Sequence, residues 1–390
     1  MKKTTKLIAI VCVIAMMAAL FAGCGSKTKG YTANNTEFVI GLSGPLTGGA
    51  AIYGQAVANS AQMAVDEINA AGGLNGTTFK VIAVDDKHDA SMIATNYATL
   101  YEGGMQVSLG TVTSAPGLEF KTYSHEDNVF FLTPSATTDS IPEFDNGYQM
   151  CFADSNQGAG AALYVNEVCA GQTIGLFYKS DDPYSVGIYN KFMEKVDPSI
   201  TVIETSFNDS TATDFSTQID TLKDCSFIFM PIYYQPASLF ATQAVGVIAD
   251  DAVYYGCDGL DGIDSMPGFD ITAVPQEISM LSHFNSTATE GPAADYIAKY
   301  VDKYGAETLN QFGASAYDCV YAIYNAMKEI SDADSKAISV TMSASDLSNL
   351  LKAKFQGGFT FSGITGENIT WDQGGYVNKA AIKYIIKEAN

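Results

Sequence analysis

The organisation of this chain is clearest in Phe38–Val84, which reads FVIGLSGPLTGGAAIYGQAVANSAQMAVDEINAAGGLNGTTFKVIAV. It begins with a short apolar strand, Phe38–Leu42, and a loop rich in glycine, proline and threonine. The spacing of apolar residues then predicts a helix over Tyr53–Ala70, which stops at a Gly-Gly pair. A second apolar strand follows at Phe79–Val84. A strand, a helix and a strand in this order predict a parallel βαβ unit.

The same alternation continues along most of the chain. A first series runs to Val129–Leu132, and a second runs from near Asn156 to Gly256. A chain of 390 residues is long for one hydrophobic core, so we expect two lobes, each with a parallel sheet covered by helices on both faces. The last hundred residues, with predicted helices Pro292–Tyr304 and Ser315–Ile330 and short strands within Phe359–Trp371, could complete the first lobe.

The N-terminus predicts export. Lys2, Lys3 and Lys6 precede the apolar run Leu7–Leu20, which is shorter than the roughly 20 residues of a membrane span. Small residues directly before Cys24 are typical of a lipoprotein signal, so we predict a signal peptide over residues 1–23, lipidation of Cys24 and a flexible tether over residues 24–36. The alternative is an ordinary cleaved signal with an incidental cysteine.

The charge of the chain limits its partners. The formal net charge is -22, and removal of the signal peptide, with three lysines and no acids, takes it to -25. Such an acidic protein repels nucleic acid and anionic lipid. The chain contains no arginine. A bound carboxylate must therefore be held by backbone N–H groups, hydroxyls or lysine rather than by a guanidinium group.

No motif predicts an enzyme, a metal site or a cofactor. The three histidines fall in separate segments, and the run Asp258, Asp261 and Asp264 lacks the spacing of a calcium-binding EF-hand. The cysteines after Cys24 are widely spaced and odd in number, so we expect them to be buried and reduced, although the sequence leaves open whether any pair. They are Cys151, Cys169, Cys225, Cys257 and Cys319.

Polar and aromatic side chains follow the carboxyl ends of the predicted strands, where parallel sheets bind ligands. Hydroxyls in these loops could hold a carboxylate, and Asp258 could hold an ammonium group from the opposite lobe. The hydroxyls belong to Ser114, Ser135 and Thr137, and the walls of such a site would be Tyr53, Tyr184, Tyr233 and Phe312. This set predicts a site for a zwitterion. The alternative is that these residues only form turns and cap helices.

Several stretches resemble one known family. They are Ile40–Gly48 (IGLSGPLTG), Ala64–Gly76 (AVDEINAAGGLNG), Pro134–Thr137 (PSAT), Gly256–Gly259 (GCDG) and Thr365–Asp372 (TGENITWD). The chain is similar over nearly all of Phe38–Lys387 to the extracellular solute-binding proteins of branched-chain amino-acid ABC transporters. The resemblance implies the fold of a type I periplasmic binding protein, which is α/β with two three-layer lobes and a hinge of three chain crossings. The implied lobes are residues 37–153 with 285–379, and residues 154–284 with 380–390.

The resemblance also implies a function and partners. We expect a monomeric lipoprotein, anchored at the extracellular face of a bacterial membrane, that captures an amino acid between its lobes, with a branched-chain or other apolar side chain or an aromatic one. It would deliver this ligand to an ABC permease and its ATPase, without covalent chemistry, a cofactor or nucleic acid. The alternatives are a ligand-sensing protein that feeds a signalling receptor, and an exported hydrolase, which lacks a recognisable nucleophile motif here.

Site residues carry over one by one from the resemblance. Ser114, Ser135 and Thr137 match positions that bind the ligand carboxylate and part of its ammonium, and Ala136 lies on the same loop. Asp258 matches the acid that pairs with the ammonium. Tyr53, Tyr184, Tyr233 and Phe312 match contact or wall positions.

The chain departs from the family in two places. A disulfide of the family is replaced by His88 and Thr113, so we expect that bridge to be absent. Asp258 occupies a position where the family commonly has Glu. Its side chain is one methylene shorter, which leaves the identity of the ligand open.

Overall fold

A computed structural model describes residues 34–389, so the predicted signal peptide, Cys24 and the tether as far as residue 33 lie outside the described residues. The strands are β1 (Phe38–Gly44), β2 (Phe79–Asp85), β3 (Val107–Ser108), β4 (Phe131–Thr133), β5 (Gly147–Gln149), β6 (Thr173–Lys179), β7 (Thr201–Phe207), β8 (Phe227–Met230), β9 (Val253–Gly256), β10 (Glu277–Ser282) and β11 (Ile382–Lys387). The helices are α1 (Ala51–Ala70), α2 (Ile93–Glu102), α3 (Ser114–Glu126), α4 (Asp154–Val168), α5 (Pro183–Lys195), α6 (Ser216–Leu222), α7 (Tyr234–Ala244), α8 (Gly291–Tyr304), α9 (Gln311–Ala333) and α10 (Ala344–Gln356).

The first lobe is built on a parallel sheet of five strands in the order β2-β1-β3-β4-β5. Strand β1 is buried along its whole length, as expected for an inner strand with helices on both faces. Helix α1 packs against α9, which arrives from the far end of the sequence. Helix α1 ends as predicted at Ala70, because Gly72 and Gly73 follow with φ of 101° and 65°, angles that glycine adopts without strain.

The second lobe is built on a sheet of six strands in the order β11-β10-β9-β8-β6-β7. All neighbours are parallel except β11, which runs antiparallel to β10 at the edge of the sheet. The predicted fold class, two αβα lobes with parallel sheets, is confirmed. The antiparallel edge strand is a difference from the prediction, and it arises because the chain returns from the first lobe to the free side of β10.

The chain passes between the lobes three times. The passages lie between β5 and α4, between β10 and α8, and in the segment that leads from Val377 to β11. The domain boundaries given above stay predictions. Between Phe359 and Trp371 the sequence predicts short strands. The structure forms only isolated bridges in this region, Phe361 with Ile369 and Trp371 with Val377.

Candidate functional site

The first lobe contributes two loops that leave the carboxyl ends of β3 and β4. The Thr133 hydroxyl donates to the Thr111 carbonyl (2.8 Å) and accepts the Ala136 N–H (3.1 Å). This one side chain therefore ties the two loops together where they leave the sheet. Ser135 and Thr137, on the second loop, are 7% and 1% exposed and face the second lobe across a small cavity.

The second lobe contributes Asp258, which follows the end of β9. Its backbone N–H donates to Gln157 Oε1 (3.0 Å), and its Oδ1 accepts the Tyr184 hydroxyl (2.8 Å). The same hydroxyl accepts the Gly259 N–H (2.9 Å). The Tyr184 ring stacks on Tyr233 at 4.7 Å between centroids. Within the part of the chain that the structure describes, the carboxyl group is therefore held through Oδ1 and not through Oδ2.

These side chains enclose one cavity. It is lined by Tyr53, Val112, Thr113, Ser135, Thr137, Tyr184, Tyr233, Asp258 and Phe312. Seven of the nine predicted ligand-binding residues stand in its wall. Ser114 and Ala136 do not: Ser114 Oγ accepts the Thr138 N–H (3.3 Å), and the Ala136 carbonyl accepts Gln149 Nε2 (2.9 Å). Both therefore shape the loops behind the wall.

The sequence reasoning missed two residues of the wall, Val112 and Thr113. Thr113 and His88 occupy the two positions at which the family has a disulfide. The Thr113 hydroxyl contacts His88 Nδ1 at 2.8 Å. The two loops that a disulfide would join are thus joined by a hydrogen bond. All five cysteines of residues 34–389 are buried and free.

Asp258 brings a buried carboxyl group to the wall of the cavity. It is 1% exposed, and its Oδ2 has no hydrogen-bond partner among residues 34–389. Burial raises the pKa of Asp258 to about 7, an effect that the hydrogen bond from Tyr184 only partly offsets. A buried carboxylate oxygen without a partner is costly. It is therefore a ready acceptor for a cationic group that enters the cavity.

The lobes also touch each other directly beside the cavity. Tyr53, on α1 of the first lobe, donates its hydroxyl to the Gly259 carbonyl (2.5 Å) and accepts the Tyr234 N–H (3.3 Å). The Gln311 N–H, at the start of α9, donates to Asp261 Oδ2 (2.9 Å). The structure is therefore a closed form, in which residues of both lobes meet around Asp258.

Comparison with known proteins identifies the family and supports the fold. Residues 37–377 match the periplasmic binding protein family. The chain is 25% identical over 316 residues to a leucine-, isoleucine-, valine-, threonine- and alanine-binding protein of Pseudomonas aeruginosa, which covers 78% of this chain and 82% of the relative. It is 27% identical over 302 residues to a Leu/Ile/Val-binding protein of Rhizobium johnstonii, with coverage of 72% and 77%.

Solved structures agree with these sequence relatives. A Streptococcus pneumoniae branched-chain amino acid transporter substrate-binding protein, solved with isoleucine, is 27% identical with a TM-score of 0.73, over 89% of this chain and all of the other. A leucine-binding protein of Thermotoga maritima, 22% identical over 90% of this chain and 96% of the other, shares the fold with a TM-score of 0.76. The chain belongs to the periplasmic binding protein family, and the predicted resemblance to branched-chain amino-acid binding proteins is confirmed.

Among residues 34–389, no helix is long and apolar enough to cross a bilayer. Over the same residues, no group of three or more histidine, cysteine or acidic side chains is arranged to hold a metal ion.

Proposed function

We propose that this protein is the solute-binding protein of an ABC importer and that its cavity binds an amino acid. One observation carries the proposal: Asp258, whose Oδ2 has no hydrogen-bond partner among residues 34–389, lines a cavity whose wall also carries Ser135 and Thr137 of the first lobe. A carboxylate acceptor on one lobe and hydroxyl groups on the other suit the two charged ends of a zwitterion. The amino-acid-binding relatives support the same ligand class.

Binding would proceed in two steps. The ligand carboxylate first docks on the hydroxyls and backbone N–H groups of the first lobe. Closure about the three crossings then brings Asp258, Tyr184 and Tyr233 onto the ligand, as in the hinge closure of periplasmic binding proteins. Contacts that the ligand makes across both lobes add to the direct hydrogen bonds between the lobes and shift the equilibrium toward the closed form. The protein then presents its ligand to a membrane permease and takes part in no covalent step.

The predicted lipoprotein signal completes this proposal. Acylation at Cys24 would hold the protein at the extracellular face of the bacterial membrane, and residues 24–36 would give it reach toward the permease and its ATPase. Replacement of Cys24 by serine in cells, followed by fractionation, tests the anchor. Release of the protein into the medium supports it, and retention at the membrane contradicts it.

A ligand screen tests the amino-acid assignment. The purified protein is unfolded and refolded to remove any bound ligand, and its melting temperature is then measured with each L-amino acid, the D-forms, short amides and simple sugars. A ligand at 100 times its dissociation constant stabilises the folded state by about 2.7 kcal/mol. We expect a shift with one class of amino acid. A response only to compounds without an ammonium group would contradict the proposal.

The affinity should depend on pH through Asp258. Because burial raises the pKa of its carboxyl group to about 7, the ligand ammonium must displace a proton below that pH. We therefore expect the affinity to fall up to about tenfold for each unit below pH 7 and to level off near pH 8. Calorimetric titrations from pH 5.5 to 8.5 measure this slope. An affinity that is flat with pH would mean that Asp258 does not pair with the ligand.

A further inference from the structure

Asp258 begins a short 3₁₀ helix, Asp258–Leu260, that follows the end of β9. The first N–H groups of a helix have no partner within it, and the residue before this helix offers no side-chain cap. Two side chains from neighbouring helices supply the missing acceptors. Gln157 Oε1, on α4, accepts the Asp258 N–H (3.0 Å). The Tyr184 hydroxyl, on α5, accepts the Gly259 N–H (2.9 Å). The backbone that carries the Asp258 carboxyl group is therefore held from two helices.

Both supports belong to the same lobe as Asp258. Helices α4 and α5 pack against each other, and they come so close at Gly158 that an added Cβ atom would lie 2.6 Å from the Ile188 carbonyl oxygen. Gln157, the preceding residue, is fully buried and has little freedom to move. Because these bonds do not cross between the lobes, they need not break when the lobes separate. We therefore expect Asp258 to be supported in the same way in the open and the closed form.

The Gln157 amide also bears on the carboxyl group itself. The Asp258 N–H can be accepted only by the amide oxygen, which fixes the orientation of the amide. The amide nitrogen, Nε2, is then left buried and without a hydrogen-bond partner among residues 34–389, as is Asp258 Oδ2. Burial raises the pKa of Asp258 to about 7, and the side chains of Tyr184 and Gln157 oppose this rise. An N–H donor near a carboxyl group acts in this direction because it favours the charged form.

The titratable side chains around Asp258 act against its charge. Those that interact electrostatically with it are Tyr53, Cys151, Asp154, Tyr184, Tyr233, Cys257 and Asp261. All of them are acids, phenols or thiols, whose ionised forms repel a carboxylate. The charge of Asp258 therefore depends on uncharged donors, of which the Tyr184 hydroxyl and the Gln157 amide are the two described above.

From these contacts we infer that Gln157 is a positioning residue of the binding site, which fixes the backbone of Asp258 through its amide oxygen and favours the charged carboxylate through its amide nitrogen. This inference rests on the proposed function and adds to it a residue that lies behind the wall of the cavity. An amide suits this place because it combines a donor and an acceptor and carries no charge. A lysine would neutralise Asp258 and compete with the ligand ammonium. Gln157 thus acts on the ligand only through Asp258.

Gln157→Met tests the inference, because methionine is close in size but lacks the donor and the acceptor. The refolded unmodified protein and the variant are titrated in a calorimeter from pH 5.5 to 9 with L-alanine, L-leucine, L-isoleucine and L-phenylalanine. Loss of a hydrogen bond to a charged group should weaken binding at pH 8 at least about tenfold. The pH below which the affinity falls should also rise by about one unit, because Asp258 keeps its proton longer. An unchanged affinity with an unshifted profile would overturn the inference and leave the proposed function standing.

Gln276→Met is the matched control. Gln276 is an equally buried glutamine of the second lobe, but it precedes β10 and so lies at the opposite edge of the sheet from Asp258. Its Nε2 donates to the Ile248 and Ala249 carbonyls (both 3.2 Å). Its replacement should lower the melting temperature without changing the affinity or its pH profile. The same shift of the profile in both variants would contradict the inference, since any lost buried amide would then have this effect.

Gln157→Asn takes the place of the methionine variant if the latter does not fold. It keeps an amide in the core but shortens the arm by one methylene, so it should shift the profile in the same direction. In the unmodified protein, the ¹⁵N signals of the Gln157 side-chain amide should move with pH about a midpoint near 7, as Asp258 titrates. Amide signals that do not respond to pH would contradict the inference. Binding of no amino acid by the unmodified protein would instead overturn the proposed function together with this inference.

Discussion

Asp258→Asn should weaken amino-acid binding by about 2–5 kcal/mol, the range for removal of one partner of a buried charge pair. Asp258 is 1% exposed; its Oδ1 accepts the Tyr184 hydroxyl, and its Oδ2 has no hydrogen-bond partner within residues 34–389. An ammonium group at Oδ2 would be shielded from water by the aromatic rings, so its attraction to the carboxylate is strong. An asparagine keeps the size and the bond to Tyr184 but loses the charge. Titration calorimetry at pH 8, where Asp258 is mostly charged, measures the loss.

The same variant should not weaken the ligand-free fold. Burial raises the pKa of Asp258 to about 7, above the value near 3.9 of an unfolded chain. The unfolded state therefore loses its proton first as the pH rises, and the charged carboxylate lowers the stability of the folded state above about pH 4. At pH 8 the melting temperature of Asp258→Asn without ligand should equal or exceed that of the unmodified protein.

A control separates the site from the overall charge. Asp264→Asn removes one negative charge from an exposed position six residues away on the same loop, and it should leave the affinity unchanged. Equal affinities of Asp258→Asn and the unmodified protein would remove Asp258 from the binding site. Lower affinity in both variants would point to long-range attraction by the acidic surface instead.

Most of the candidate site could be predicted from the sequence, because parallel strands bring the loops at their carboxyl ends to one edge. Ser135, Thr137 and Asp258 follow strands that the apolar pattern identifies. Val112 could not be predicted, since an isolated valine in a loop reads as a core residue. Ser114 is the opposite case, a residue that the sequence places in the site and the structure places behind its wall. Its hydroxyl is one residue from the wall but turns back to the Thr138 N–H, and only the geometry of the loop decides that direction.

The fold was least predictable where pairing partners are far apart in sequence. Strand β11 pairs with β10 about 100 residues earlier, and its orientation depends on where the chain re-enters the second lobe. The segment after α10 reads as short strands because it contains Phe361, Ile369 and Trp371. Its backbone instead turns around the side chain of a distant acid, Asp318, which no local pattern reveals.

Asp318→Ala should lower the free energy of unfolding by about 3–5 kcal/mol, the range for loss of one partner of a buried ionic group. Asp318 lies on α9 and is 1% exposed. Its Oδ1 accepts the Ile364 N–H (2.9 Å), and its Oδ2 accepts both the Thr365 N–H (2.8 Å) and the Thr365 hydroxyl. Lys379 Nζ donates in turn to the Thr365 hydroxyl oxygen (2.5 Å). Urea unfolding followed by circular dichroism measures the change.

The size of this effect follows from the groups that the alanine would leave behind. One buried and one partly buried N–H group and one hydroxyl would lose their acceptor. Lys379 would lose the carboxylate whose charge acts against the lowering of its pKa by burial. Asp332→Ala on the same helix is the control, because Asp332 is exposed and its only described ion pair is with Lys328; it should change stability by less than about 0.5 kcal/mol. A loss below about 1 kcal/mol for Asp318→Ala would mean that water replaces its hydrogen bonds. Since this segment leads directly into the third crossing, a large loss would instead make Asp318 the residue that holds the hinge to the first lobe.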